Sequence, residues 1–439
     1  MKPRRCPIPV PIICLDDQVR QFAERFRHHL SKPQYQYFVI VLLGLMLCQG
    51  TRTLSRLLRQ IAKGPTLAGL SRFLSEAPWE TAAVAEEWLK HFRDTMQLQV
   101  AAARQRPFQE QPKRRGRPKA PVVTGYLIGD DSTMHKPKGK KMQGLGLHHS
   151  TTQEKRVLGH SLVQSLYVLL GRRCPLPPQL YRQQTVCEVE DVPFASKIEL
   201  MEATIRTFEP VAGTLTHVLL DTWYSAKCLW RAARERGFLI TTGLKCNRWL
   251  RIEDPTAPQG WRWQLLADYT AHLSASDYVQ LKWPKSDDEV YVHVLTTRVR
   301  KLYCCQVVIV RQSLDAPLSQ ARYWASSDLE ADPATLLVHI AARWDIEVLF
   351  GDGKEELGLD QYQVMSATAI VRFWTLAMLA YVFLEEECHR LQEQWQGHVT
   401  IGQARREIQR RHRRHVLDWL HGQFQSGIEP DSLYDLFSA

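Results

Sequence analysis

The chain has 439 residues, 44% of them hydrophobic and 23% charged, proportions that exclude a disordered, collagenous or mucin-like polymer. Fifty-seven Lys and Arg against 46 Asp and Glu leave a net charge of +11, which favours a polyanionic partner and says nothing about fold. Ten scattered cysteines without a Cys-x-x-Cys pair exclude a zinc ribbon or a thioredoxin motif and fit a reduced cytoplasm. Met1 to Val10 lacks an apolar run before a small-residue cleavage site, so no secretory leader is expected. Tyr37–Cys48 and Ile370–Leu384 are apolar but shorter than the roughly 18–20 residues of a spanning helix. Both are expected to be buried core helices, with no membrane partner.

In chain order, residues 16–98 carry apolar positions at helical spacing, with Gly and Pro as punctuation. A helical N-terminal DNA-binding domain is expected over 1–100, either a plain bundle or an array resembling helix-turn-helix with a short helix starting at Thr51–Ser55. Residues 101–120 hold seven basic residues, one acidic residue and three prolines, the composition of a linker. Within it Arg115-Gly116-Arg117-Pro118 resembles an AT-hook, in which Gly lets the backbone lie deep in a narrow minor groove and the two arginines follow its negative potential. A solvated basic linker is the alternative reading.

From residue 121 the pattern turns to strands and helices. "VVTGYLIGDD" reads as a strand ending in two aspartates, and "KMQGLGLHHS" and "KRVLGHSLVQSLYVLL" read as the next two strands. "SKIELMEATIRTFEP" reads as a helix capped by Ser196. "THVLLD" is a buried strand ending at Asp221, "YSAKCLWRAARERG" a helix and "FLITTGLK" a strand. The resulting α/β architecture has a first core part at 121–247, a β-rich insertion at 248–328, a second core part at 329–395 and a basic helical segment at 396–439. The second part opens at Ala331-Asp332-Pro333, a cap followed by proline in the first helical turn. The 16 histidines, His148-His149 among them, show no zinc-ligand spacing, and no zinc site is expected.

The acidic residues fall in a pattern. Asp130 and Asp221 follow apolar strands, and Arg343, Glu347 and Lys354, at steps of four and seven, share one helical face. Carboxylates presented from separate rigid elements suit divalent metals, and cations one and two turns away suit phosphate. Singly, a strand-end Asp is often a turn residue, and an Arg–Glu pair at this spacing is often a surface ion pair.

These residues resemble the DDE transposases of bacterial insertion sequences, the cut-and-paste class with an RNase H-like catalytic core. In that class the third acid sits in Tyr-x2-Arg-x3-Glu-x6-Lys, matched here by Arg343, Glu347 and Lys354, with Ile340 at the Tyr position. Asp130-Asp131-Ser132-Thr133 followed by Lys136-Pro137-Lys138-Gly139-Lys140 resembles the first-aspartate segment, and the stretch around Asp221 resembles the second. The resemblance implies Asp130, Asp221 and Glu347 as catalytic residues and ligands of two Mg²⁺ or Mn²⁺ ions, with Asp131 the alternative to Asp130. Arg343, Lys354, Lys136, Lys138 and Lys140, with Arg115 and Arg117 of the linker, are expected on DNA. It further implies double-stranded DNA as partner, a homodimer on that DNA, a cytoplasmic, nucleoid-associated location, and a tryptophan of the insertion (Trp249, Trp261, Trp263 or Trp283) stacked on a flipped base. The alternatives are a hydrolytic nuclease with the same core and a transposase-derived DNA-binding protein.

Overall fold

The computed structural model describes residues 12, 16–61, 64–110, 121–150 and 154–437. Five helices come first: α1 (Asp17–Glu24), α2 (Lys32–Leu47), α3 (Leu54–Arg59), α4 (Leu67–Ser75) and α5 (Thr81–Glu110). Thr53 caps α3 by accepting from the Arg56 amide. Of the segment expected as a linker, residues 101–110 continue α5, because Ala101–Arg106 is rich in good helix formers. Arg115 and Arg117 lie outside the described residues.

Strands follow: β1 (Thr124–His135), β2 (Gly146–Ser150), β3 (Lys155–Leu169), β4 (Arg172–Pro175) and β5 (Gln179–Tyr181). Next come α6 (Gln184–Glu190), α7 (Lys197–Thr207), β6 (Leu215–Leu220), α8 (Lys227–Glu235) and β7 (Leu239–Leu244). Ser196 and Glu199 form the capping box that starts α7. β1 does not end at the aspartates. It pairs with β3 from Gly125 opposite Leu169 to His135 opposite Gly159, so Asp130 and Asp131 lie inside a strand.

The β-rich segment holds β8 (Trp249–Glu253), β9 (Trp261–Leu265), α9 (Leu266–Ala271), β10 (Val279–Lys282), β11 (Glu289–Arg298), β12 (Cys304–Arg311) and β13 (Arg322–Ser326). β8 and β9 form a separate hairpin. The other four strands extend the core sheet, with β13 antiparallel to β7. The sheet runs β10-β11-β12-β13-β7-β6-β1-β3-β2, with β4 and β5 also on β3. Among the described strands only β1, β6 and β7 are mutually parallel; the connection from β1 to β6 ends in α7 and that from β6 to β7 runs through α8.

The last helices are α10 (Pro333–Ala342), α11 (Asp345–Leu357), α12 (Ala367–Trp395), α13 (Ile401–Gln425) and α14 (Pro430–Phe437). The stretch "DPATLLVHIAARWDIEVLFGDGKEELGL" (332–359), which reads as helical from its sequence, forms two helices, α10 and α11. At the junction Trp344 bonds back three residues to the Ala341 carbonyl, and Ile346 and Glu347 bond back three to Arg343 and Trp344. Such bonds tighten the turn while keeping the backbone helical.

One hydrophobic core joins α1–α4 and the start of α5 to α11–α13 and one face of β1 and β3. The N-terminal helices are therefore packed into the body rather than detached from it. Within α12, Arg372 is buried and donates to the carbonyls of Leu74 and Trp79 at 3.1 and 2.6 Å. A second core fills the opposite face of the sheet beneath α7 and α8. Among the described residues the cysteines are free thiols.

Gly243 of β7 lies against the turn that follows Asp221. A Cβ there would sit 2.8 Å from the Thr222 amide nitrogen and 3.0 Å from its Cα, backbone atoms with little freedom to yield. Gly243→Ala is expected to destabilise the protein by about 1–3 kcal/mol, the usual cost of overpacking. Gly422→Ala, on a helix with open space around it, should be neutral or slightly stabilising. Denaturant midpoints of the two variants check the contrast.

Candidate functional site

Successive residues of a strand point to opposite faces. Asp130 shares the face of Ile128 and Met134, against α11 and α12, whereas Asp131 faces α7 and the turn that follows Asp221. There Asp131 accepts from Lys197 Nζ at 2.5 Å, Tyr224 Oη at 3.0 Å and Ser161 Oγ at 3.4 Å. Its hydrogen-bonding capacity is largely taken up within the fold.

β6 lies parallel to β1 with Leu220 opposite Gly129, so the next residues, Asp221 and Asp130, are neighbours on one face. On the helical side, Arg343 Nη1 is 3.3 Å from Asp130 Oδ2 and 3.4 Å from Glu347 Oε1, so a single nitrogen bridges two carboxylates. Lys354 Nζ donates to Ser132 Oγ at 2.7 Å, on the same face of β1. The spacing read from the sequence survives the break between α10 and α11 because the junction stays helical. Asp345 points away from this face and pairs with Arg173 at 2.8 Å and Lys285 at 3.2 Å.

Burial pushes the Asp130 carboxyl up to about 7, with Asp221 and Asp131 adding to the rise, while the Asp131 amide and Arg343 pull the other way. Burial also lowers the Lys354 ammonium from its ordinary value. Three hard-oxygen donors from two strands and a helix suit a divalent cation.

Lys136 is a correction. It was expected on DNA, but its side chain is buried and its ammonium donates to the carbonyls of Asp360 and Tyr362 at 2.5 and 2.6 Å. It also lies 3.5 Å from the Tyr362 ring centroid. Burial lowers it to about 8. Lys138 and Lys140 remain exposed and line, with Thr51, Thr53, Lys141 and Gln361, a groove of about 680 Å³.

A second groove, about 610 Å³, borders the Asp221 turn and the start of β8, where Lys245, Arg248, Arg300 and Lys301 surround Trp223 and Trp249. Among the described residues no carboxylate lines it. Of the four tryptophans considered from the sequence, Trp249 is in this groove, while Trp283 packs against the small core of α10 and β11–β12. Trp261 and Trp263 contact each other edge-on. Trp223, 66% exposed, was not among the candidates. Its signal in the sequence was its place two residues after Asp221.

Residues 25–265 match the family model of the DDE superfamily endonucleases, and the chain belongs to that family. The match takes in Asp130 and Asp221, while Glu347 lies beyond it. Among solved structures, a piggyBac transposase synaptic complex with hairpin DNA aligns with 96% of this chain and 80% of its own, at 10% identity and a TM-score of 0.43. No curated protein matches the chain.

Proposed function

We propose that the protein is a DNA transposase of the insertion-sequence type, cutting DNA at element ends and joining the freed 3′ ends to target DNA. The observation that carries the reading is Arg343 Nη1, within 3.4 Å of carboxylate oxygens of both Asp130 on β1 and Glu347 on α11, with Asp221 beside Asp130 at the end of the neighbouring strand. The order of β3, β1, β6 and β7, antiparallel then parallel, supports an RNase H-like core.

Asp130, Asp221 and Glu347 would hold Mg²⁺ or Mn²⁺, two ions in the full site. When bound, the metal supplies Lewis-acid activation of the attacking oxygen and charge stabilisation of the leaving one. The protein's own groups do the rest. Arg343 neutralises the acids in the resting site and is placed to meet a phosphate oxygen once they are otherwise occupied. Lys354 contributes a second cation on the same face. Ser132 orients Lys354, and the Lys197–Asp131–Tyr224 cluster fixes β1 from behind. The groove of Trp223 and Trp249 offers aromatic faces among four cations, the combination that holds unpaired bases and their backbone. Lys138 and Lys140 would contact duplex phosphates, and two chains would act together on the two element ends.

The test is incubation of the protein and Mg²⁺ with DNA bearing the inverted repeats that flank its gene. Cleaved ends and joined products are expected. Cleavage without joining would replace the reading by a hydrolytic nuclease, and binding without cleavage by a DNA-binding protein.

Arg115 and Arg117 belong to the same proposal. Replacing both with Ala should weaken DNA binding and lower the salt slope by up to about two, at roughly 0.9 per phosphate contact. If the segment enters the minor groove as an AT-hook does, the loss is larger on A·T-rich duplex. Binding isotherms on A·T-rich and G·C-rich duplexes at two salt concentrations separate these outcomes, and unchanged affinity throughout would make the linker a spacer.

A further inference from the structure

The turn between α1 and α2 carries two consecutive histidines, His28 and His29, in a short 3₁₀ segment. Glu87 of α5 faces both. Nε2 of His28 and Nε2 of His29 each lie 3.5 Å from the same oxygen, Glu87 Oε2. The three ligand atoms are all within 4.8 Å of one another. The two imidazole rings lie 3.9 Å apart, centroid to centroid.

These distances are long for hydrogen bonds, which cluster near 2.9 Å. Consistent with that, the Nε2 atom of His29 is buried without a hydrogen-bond partner. A buried polar atom left so is costly unless something else satisfies it. The spacing does fit ligands around a shared metal: bonds of about 2.0–2.2 Å place neighbouring ligands of a tetrahedron about 3.3–3.5 Å apart. Two imidazoles and a carboxylate are a donor set that zinc accepts, with a fourth position left for water. The exposure of His28, 61% of its side chain, leaves that position open to solvent. His91, one turn along α5 from Glu87, is not needed, being 3.6 Å from Glu386.

We propose that His28, His29 and Glu87 form a binding site for zinc or a similar borderline divalent metal, separate from the acidic centre on β1, β6 and α11. Its ligands come from two places that the chain joins only through tertiary packing: the α1–α2 turn and the first half of α5. Bound metal ties them together and stiffens the N-terminal helices at the end of α5 remote from the basic linker. This role is structural and independent of strand cleavage.

The experiment uses the full chain with Asp130, Asp221 and Glu347 each replaced by Ala, so that the acidic centre does not compete. After chelator treatment, Zn²⁺ is titrated by calorimetry, and Co²⁺ is used as an optical probe of the ligand set. One equivalent of Zn²⁺ should bind, the melting temperature should rise, and the Co²⁺ spectrum should show nitrogen and oxygen ligation without thiolate charge transfer. In the same background, His29→Ala and the near-isosteric Glu87→Gln should each weaken Zn²⁺ binding at least about tenfold and abolish the rise in melting temperature. Glu87→Gln alone, in the otherwise unaltered chain, should retain Mg²⁺-dependent cleavage. Absence of saturable Zn²⁺ binding, or equal binding by the parent and both variants, overturns the site. A thiolate band in the Co²⁺ spectrum that persists in the variants would place the metal on cysteine instead and overturn it equally.

Discussion

Asp221→Ala and Glu347→Ala are each expected to lower Mg²⁺-dependent cleavage by about a thousandfold or more, while DNA binding holds or tightens slightly. A thousandfold corresponds to about 4 kcal/mol of barrier. That is within what a metal clamp contributes to phosphoryl chemistry. Binding is spared because removing a carboxylate beside a phosphate path removes repulsion. Neither change leaves a buried cation stranded. Without Glu347, Arg343 keeps Asp130, and Asp221 shows no ion pair within the described residues. Asp131→Asn provides the contrast. Its partners Lys197 and Tyr224 lie on the opposite face of β1, so its loss should act through stability rather than by removing a metal ligand. Single-turnover cleavage with a gel-shift titration on the same DNA checks all three. Full cleavage by Asp221→Ala or Glu347→Ala would remove the acidic centre from the chemistry.

Asp345→Ala should be strongly damaging although it lies away from that centre. Its carboxylate is only 9% exposed and accepts from Arg173 of β4 and Lys285 of the β10–β11 turn, holding an edge strand, a helix and a hairpin at one point. Removing it leaves the mostly buried Arg173 guanidinium without its acid. Breaking a buried pair typically costs 3–5 kcal/mol; with about a quarter of the Arg173 side chain exposed, about 2–4 kcal/mol is expected. Lys285→Ala removes the solvent-side partner, 54% exposed, and should cost no more than about 1 kcal/mol. The Arg343–Glu347 junction is held by tightened three-residue bonds, so loosening Asp345 should also displace Glu347 and slow cleavage beyond the loss of folded protein. Urea denaturation of both variants, with cleavage measured well below the transition, tests this. Equal stability of Asp345→Ala and the parent would show the clasp to be idle.

Much of the site was legible because it depends on local periodicity. The step of four from Arg343 to Glu347 places them together in any helical backbone, tightened or not. Ser196, Asp332 with Pro333, and Thr53 are caps whose chemistry acts within three residues, and each starts the helix its sequence announces. What was not legible depends on partners far along the chain. Asp130-Asp131-Ser132-Thr133 has weak strand propensity and reads as a turn, yet β3 pairs with every residue of it. The choice between Asp130 and Asp131 rests on which face meets α11 and which meets Lys197, and no local pattern contains that. Arg172–Tyr181, broken by prolines, carries no strand pattern that singles it out, yet it lines the edge of β3 as β4 and β5. Lys136 sits in a run of lysines that looks solvated, but its tip turns inward to two carbonyls.

The long apolar helix α12 has a consequence for how the protein is made. It is the one described helix long and apolar enough to cross a membrane, and here it is almost wholly wrapped by protein. Its wrapping includes α2, α4 and α5, which leave the ribosome some 250–320 residues before it. At about 5–20 residues per second that is a delay of roughly 12–65 seconds. Through that interval Phe38, Leu42, Phe73 and Trp88 belong to helices whose covering helix has not yet been synthesised. Then α12 itself emerges, with the greasiness of a membrane segment and its partners already waiting. The nascent chain thus passes through a stage in which the apolar faces of its first helices stand uncovered by the helix that finally buries them.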